Sequence, residues 1–149
     1  MPLLTENEIY NLSIRRGTLN DEERDIINNH AAVTYKMLTS LPFPRKLKKI
    51  AEYAAAHHEK LDGSGYPLGL KGDQLSLQSR IIALADIFEA LTAKDRPYKK
   101  GKTLGEALKI MEMMVQDHHL DKNLYDLFIQ EKIYRDYAAK ELTPQQMDV

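Results

Sequence analysis

The sequence has no cysteine. That removes disulfide frames and thiolate metal sites, so any metal must rest on His, Asp and Glu. It also has almost no net charge, −1 at pH 7, which gives no electrostatic case for DNA, RNA or an anionic membrane. No apolar run approaches the length of a membrane span, and the opening Met1 to Thr5 turns acidic at Glu6, too soon for a signal peptide. A cytoplasmic location is the expectation. Internal repeats, low-complexity tracts and strand signals are missing as well. What remains is an ordinary globular composition, 43% hydrophobic and 29% charged over 149 residues, enough for one domain with a real core.

One stretch stands out: His57-His58-Glu59-Lys60-Leu61-Asp62-Gly63-Ser64-Gly65-Tyr66-Pro67. Adjacent imidazoles closing an alanine-rich helical run are costly in a core, since each ring needs a polar partner. They are well suited to a metal, because neutral imidazole is a common ligand near physiological pH.

Helical periodicity supplies the neighbours. Glu6 to Ile14 reads as a short helix with Ile9 and Leu12 inward, ended by Arg15-Arg16-Gly17. Asn20 to Glu23 reads as a capping box opening a helix that runs towards Thr39. Its inward stripe is Ile26, Val33 and Met37, with Ile27, Ala31, Thr34 and Leu38 beside it, and His30 points inward too. Alone, His30 reads as a core histidine bonded to nearby backbone. Leu41-Pro42-Phe43-Pro44 breaks the chain. A helix from about Arg45 buries Leu47, Ile50, Ala51 and Ala54 and carries His57 and His58 at its end.

The most apolar helix runs from Leu77 to about Ala93, with Leu77, Ile81, Leu84, Phe88 and Leu91 in one period. Asp86 in its middle needs a metal or a cation, with Arg80 or Arg96 as the pairing alternatives. Asp95 to Lys102 reads as a basic loop, solvated or in contact with phosphate, with Arg96 the directional donor. Thr103 to Glu106 is a second capping box, opening a helix that buries Leu104, Ala107, Leu108, Met111 and Val115. His118-His119 reads as a surface pair between helices. A last helix from about Asp121 uses Leu124, Phe128 and Tyr137, and the tail at 140–149 around Pro144 is expected to fray. The expected fold is all-α, a bundle of about five to six helices without a sheet.

Three separate helices thus offer inward ligands: His30, then His57 and His58, then Asp86. A nitrogen-rich set of this kind suits iron, manganese or zinc better than calcium or magnesium.

The run His57 to Leu70, His-His-Glu-x-x-Asp-Gly-Ser-Gly-Tyr-Pro-x-Gly-Leu, resembles the signature of the HD-GYP domain. The similarity continues through Arg80-Ile81, Ala85 to Thr92 and Arg96-Pro97-Tyr98, with Gly17-Thr18-Leu19, Glu22-Glu23 and His30 upstream. It covers roughly residues 17–128. The resemblance implies an HD-superfamily bundle holding divalent metal and hydrolysing the bacterial second messenger cyclic di-GMP. It implies metal-ligand roles for His30, His57, His58 and Asp86, and a role for Glu59 in orienting an imidazole. Asp62, Gly63, Ser64, Gly65, Tyr66 and Pro67 then form a loop facing the substrate or a GGDEF-domain partner. Arg80 and Arg96 become candidates for phosphate or for pairing with that loop.

The family is named for an adjacent His-Asp pair, and no His-Asp dipeptide occurs in these 149 residues. Residues 1–16 form a lead-in unlike the family's His-Asp helix. Without that pair, one ion of a two-metal centre loses most of its ligands. The expectation is therefore at most one metal site and no phosphodiesterase activity from this chain alone. Either the His-Asp helix lies elsewhere in a longer parent protein bearing a sensor domain, or the domain is a degenerate member. A non-catalytic module binding cyclic di-GMP or a GGDEF domain is the alternative, and a phosphohydrolase for another nucleotide is the next.

Overall fold

The computed structural model describes residues 3–14, 19–93 and 101–149. Among them the only regular elements are helices: α1 (Glu6–Leu12), α2 (Asp21–Asn28), α3 (His30–Thr39), α4 (Ile50–Ala55), α5 (Leu77–Thr92), α6 (Leu104–Gln116), α7 (Lys122–Gln130) and α8 (Tyr134–Glu141). Short 3₁₀ turns lie at Arg45–Leu47, Ala56–His58 and Pro144–Gln146. The one extended pairing among the described residues is an isolated bridge between Asp62 and Lys71. The all-α expectation holds. The count exceeds six because two expected long helices break. The first is interrupted at Asn29. The second ends where Lys132 takes a left-handed φ of 52° and Ile133 N–H bonds back to Phe128 O, a C-terminal reversal of the kind that satisfies the last carbonyls.

Helix starts follow the sequence chemistry closely. Asn20 and Glu23 form the expected capping box on α2, and Thr103 and Glu106 do so on α6. Thr5 and Glu8 make another on α1. Ser76 caps α5, the longest helix, with its Oγ accepting from Ser79 N–H.

The core lies in the C-terminal half. Leu84 and Phe88 of α5 pack with Leu104, Ala107 and Met111 of α6, and with Leu120, Phe128 and Ala138. Phe88 meets Phe128 and Tyr137 edge to face at ring distances of 5.2 and 5.4 Å, a favoured aromatic geometry. The residues expected to line α6 and α7 are those that do, with Leu108, Val115 and Leu124 half-buried at the margin.

The N-terminal half departs from expectation. Ile9 and Leu12 are exposed, and so is the predicted stripe: Ile26 is 74% exposed, Val33 46% and Met37 64%. The face of α3 that packs is one position over, where fully buried Ala31 lets α3 approach Ala51 and Ala55 of α4. On α4 the expected Ala51 is buried, while Leu47 is exposed and Ala55 takes the place of Ala54, because the helix proper begins at Ile50, after a 3₁₀ turn. On α5 the predicted stripe is buried at Leu84 and Phe88 but open at Leu77 and Ile81. The α6–α7 core covers only the C-terminal half of that helix, and α4 with its 3₁₀ extension packs on the remainder.

The C-terminal tail does not fray. Gln146 is buried, and its Nε2 donates to Thr92 O at the end of α5 and to Lys102 O. Asp148 accepts Gly105 N–H at the start of α6. The tail thus closes two helix ends that would otherwise leave backbone groups without partners.

Candidate metal centre

His57 and His58 sit on the 3₁₀ turn that continues α4, and His30 opens α3. Because α3 and α4 pack through small alanines, the two ends meet, and one ligand nitrogen from each of His30, His57 and His58 lies within 4.8 Å of the others. His58 Nε2 is 3.0 Å from His30 Nε2.

The backbone fixes which nitrogens face inward. His30 Nδ1 donates to Ile27 O, and His57 Nδ1 donates to Ala54 O, each three residues upstream. A carbonyl only accepts, so Nδ1 carries the proton and Nε2 presents its lone pair. This outer contact is what commonly orients metal-binding imidazoles. Two nitrogens about 2.1 Å from one ion stand roughly 3.0 Å apart when they are cis in an octahedron. The donor set therefore fits a divalent metal. Burial, reinforced by the charges of His57 and His30, holds His58 below the ordinary histidine value, with Asp86 pulling the other way. A neutral His58 is the form a cation needs.

Asp86 stands beside this cluster without belonging to it. Its charge reaches both His58 and Tyr66, but the three side chains that converge are all imidazoles.

The loop after the histidines folds back over them. Tyr66 N–H bonds to His58 O, and the Tyr66 ring lies 4.8 Å from the His58 ring and 6.5 Å from that of His30. Burial and the Asp86 charge push the Tyr66 phenol above its ordinary value. Gly65 makes the crossing feasible: a Cβ there would lie 2.4 Å from Glu59 Cα and 2.5 Å from His58 O. Gly63 supplies a φ of +82°.

Glu59 does not orient an imidazole, contrary to expectation. It is 4% exposed, and its two carboxylate oxygens accept Leu68 N–H and Leu70 N–H at 2.7 and 2.8 Å. The main chain past Pro67 is pinned by this buried carboxylate, while the orienting contacts on the rings come from Ile27 and Ala54 carbonyls. Asp62 holds the near side of the loop, accepting from Ser64 N–H and Ser64 Oγ–H.

His118-His119 is not merely a surface pair. Asp62 N–H donates to His118 O, and His119 Nε2 lies 3.7 Å from Asp62 Oδ2. The α6–α7 turn therefore braces the loop, a link across 57 residues that spacing does not disclose. Arg80 takes a structural role, but with that same turn: its Nη1 is 2.6 Å from Asp121 Oδ2. Asp121 is committed on its other oxygen as the α7 cap. This contact stands in place of the pairing with Asp86 that sequence suggested for Arg80. Arg96 lies outside the described residues.

In this all-α arrangement, converging helix ends present three histidines under a Gly-Tyr-Pro loop. The chain belongs to the HD domain family, which it matches over residues 6–124, and its signature is of the HD-GYP type. It is 50% identical over 97 residues to a 3'3'-cGAMP-specific phosphodiesterase 3 of Vibrio cholerae, covering 64% of this chain and 20% of that protein. It is 36% identical over 142 residues to a probable cyclic di-GMP phosphodiesterase of the same organism, covering 87% and 30%. Against a cyclic di-GMP phosphodiesterase of Thermotoga maritima the identity is 39% over 101 residues, covering 68% and 27%. The chain thus spans less than a third of the length of these relatives. No helix among the described residues is long and apolar enough to cross a membrane.

Proposed function

We propose that this chain is the histidine side of a metal-dependent cyclic-dinucleotide phosphodiesterase centre. His30, His57 and His58 hold one divalent ion, iron, manganese or zinc, and Asp86 supplies a neighbouring carboxylate. The observation that carries this reading is the convergence of three imidazoles beneath Tyr66. When bound, the ion supplies Lewis-acid charge to a phosphodiester and eases ionisation of water. Tyr66 and the pinned loop shape the approach, beside an open cleft of about 510 Å³ lined by Asp25, Ile26, Asn28, Asn29, Tyr66 and Pro67. The reaction is hydrolysis of a phosphodiester of cyclic di-GMP or 3'3'-cGAMP, in which water adds to phosphorus as one ribose oxygen leaves.

Three ligands serve one ion, and a two-metal clamp needs more. Those 149 residues supply no His-Asp pair, so turnover requires ligands from outside them. The apolar stripe of α3 fits this reading, since Val33 lies one turn beyond His30 and stays exposed. Incubation with cyclic di-GMP or 3'3'-cGAMP and Mn²⁺ or Fe²⁺ tests the proposal. No linear product is expected from this chain, and linear product is expected from a longer parent protein containing it. Failure of both to cleave either nucleotide overturns the enzymatic reading.

The missing pair favours a second reading, a non-catalytic module that binds cyclic di-GMP or a GGDEF domain. Calorimetry with cyclic di-GMP and pull-down with a GGDEF domain test it, and silence in both removes it. Placement in the cytoplasm of a sensor protein accompanies either reading. A nucleotide screen separates both from a phosphohydrolase of other specificity.

A further inference from the structure

Between α3, α4 and the segment after Pro67, the structure holds a second cavity of about 540 Å³. Ligand pockets commonly measure about 300–1,000 Å³ and are mainly apolar with a few polar groups. Neither His57 nor His58 lines it, and it shares only Pro67 with the cleft beside Tyr66.

Its lining is mixed. Tyr35, Tyr53, Leu68 and Leu70 supply apolar surface. Glu59 and the paired hydroxyls of Ser76 and Ser79 supply the polar groups. Each Glu59 oxygen accepts one backbone N–H, and a carboxylate oxygen can accept two. Glu59 therefore retains acceptor capacity in a place almost closed to water, where an added donor gains most. Glu52 adds a second acid, and no Lys, Arg or His lines the cavity among the described residues.

We propose that this cavity is a binding site for a small molecule with an aromatic or apolar body and a cationic, hydrogen-bond-donating head. The body lies between Tyr35, Tyr53 and Leu70, and the head points to Glu59. The charge excludes anionic occupants, so the site is chemically opposite to one for a cyclic dinucleotide. It stands independently of whether the imidazole cluster supports phosphodiester hydrolysis. An occupant would touch the Pro67–Leu70 segment that Glu59 pins, and so would bear on the loop carrying Tyr66.

Matched probes test this: 4-phenylbutylamine and 4-phenylbutyrate share a body and carry opposite charge. Methyl NMR of the intact chain, with and without Zn²⁺, follows Ala55, Ala56, Leu70 and Leu75. The amine is expected to shift these methyls saturably and to bind roughly tenfold more tightly than the acid, a difference of about 1.4 kcal/mol. Tyr35→Ala, at a half-exposed wall, should weaken the amine roughly fivefold, and Ala32→Phe should weaken it by filling the cavity. The proposal is overturned if the acid binds as well as the amine, if shifts fall elsewhere, or if none appear at millimolar amine. The same shifts on raising protein concentration alone would give the cavity to a second copy and overturn the small-molecule assignment.

Discussion

His58 Nε2 stands 3.0 Å from His30 Nε2, although 28 residues separate them. His30 commits its Nδ1 proton to Ile27 O, so its Nε2 offers a lone pair. Two neutral Nε2 lone pairs facing each other would repel. The contact persists only with a proton or a cation between them, and a divalent ion satisfies both rings and His57 together.

Replacing a ligand should therefore act on metal rather than on folding. His30→Ala removes a ring from an exposed position and is expected to leave the urea midpoint nearly unchanged in metal-free protein. Affinity for Zn²⁺ or Mn²⁺ should fall at least about 100-fold, beyond the usual cost of losing an outer-shell partner. Competition titration against a chelating dye measures this.

Gly65→Ala should move the loop. The new Cβ meets backbone at 2.4–2.5 Å on three atoms, Glu59 Cα, His58 O and Lys60 N, and backbone cannot yield as a flexible side chain can. A cost of about 1–3 kcal/mol in urea unfolding is expected, together with loss of the Tyr66–His58 ring contact in NOE spectra.

Glu59→Gln separates the loop anchor from the ligands. The amide keeps one acceptor oxygen but turns an N–H₂ towards Leu68 N–H or Leu70 N–H. Stability should fall by about 1–3 kcal/mol, and hydrogen exchange at those two amides should accelerate. Metal affinity should drop far less than in His30→Ala, because Ile27 and Ala54 carbonyls still orient the rings.

Much of this architecture was legible in advance where side-chain chemistry acts locally. The capping boxes at Asn20 and Thr103, the α6 core stripe and the histidines at the end of α4 depend on residues within a turn or two. The exposed Ile26–Val33–Met37 stripe was misread because periodicity gives a face without saying whether anything packs on it. Glu59 was misassigned because its neighbours in sequence are imidazoles, while its partners are amides nine and eleven residues on. The Asp62–His119 and Arg80–Asp121 contacts span 57 and 41 residues, and only tertiary packing creates them.

Acidification should destabilise the metal-free chain in two windows. Burial, aided by His57 and His30, places folded His58 below its ordinary 6.5. The unfolded chain then binds the proton more readily, so stability declines as pH falls below 6.5 through the lower folded value. Asp62, stabilised as a carboxylate by Ser64 N–H and Oγ–H, sits below its ordinary 3.8. Its contribution is present above 3.8 and is lost as pH falls through its own lower folded value. Urea midpoints from pH 7.5 to 5.5 should fall, and His58→Gln should flatten that slope. An unchanged slope in the variant would assign the loss elsewhere.

Elemental analysis of the purified chain after loading with Mn²⁺ or Zn²⁺ and removal of excess ion tests the metal centre most directly. The account predicts about one ion per chain, bound through His30, His57 and His58 and absent from a triple alanine variant. Two ions per chain, or one retained by that variant, would contradict it.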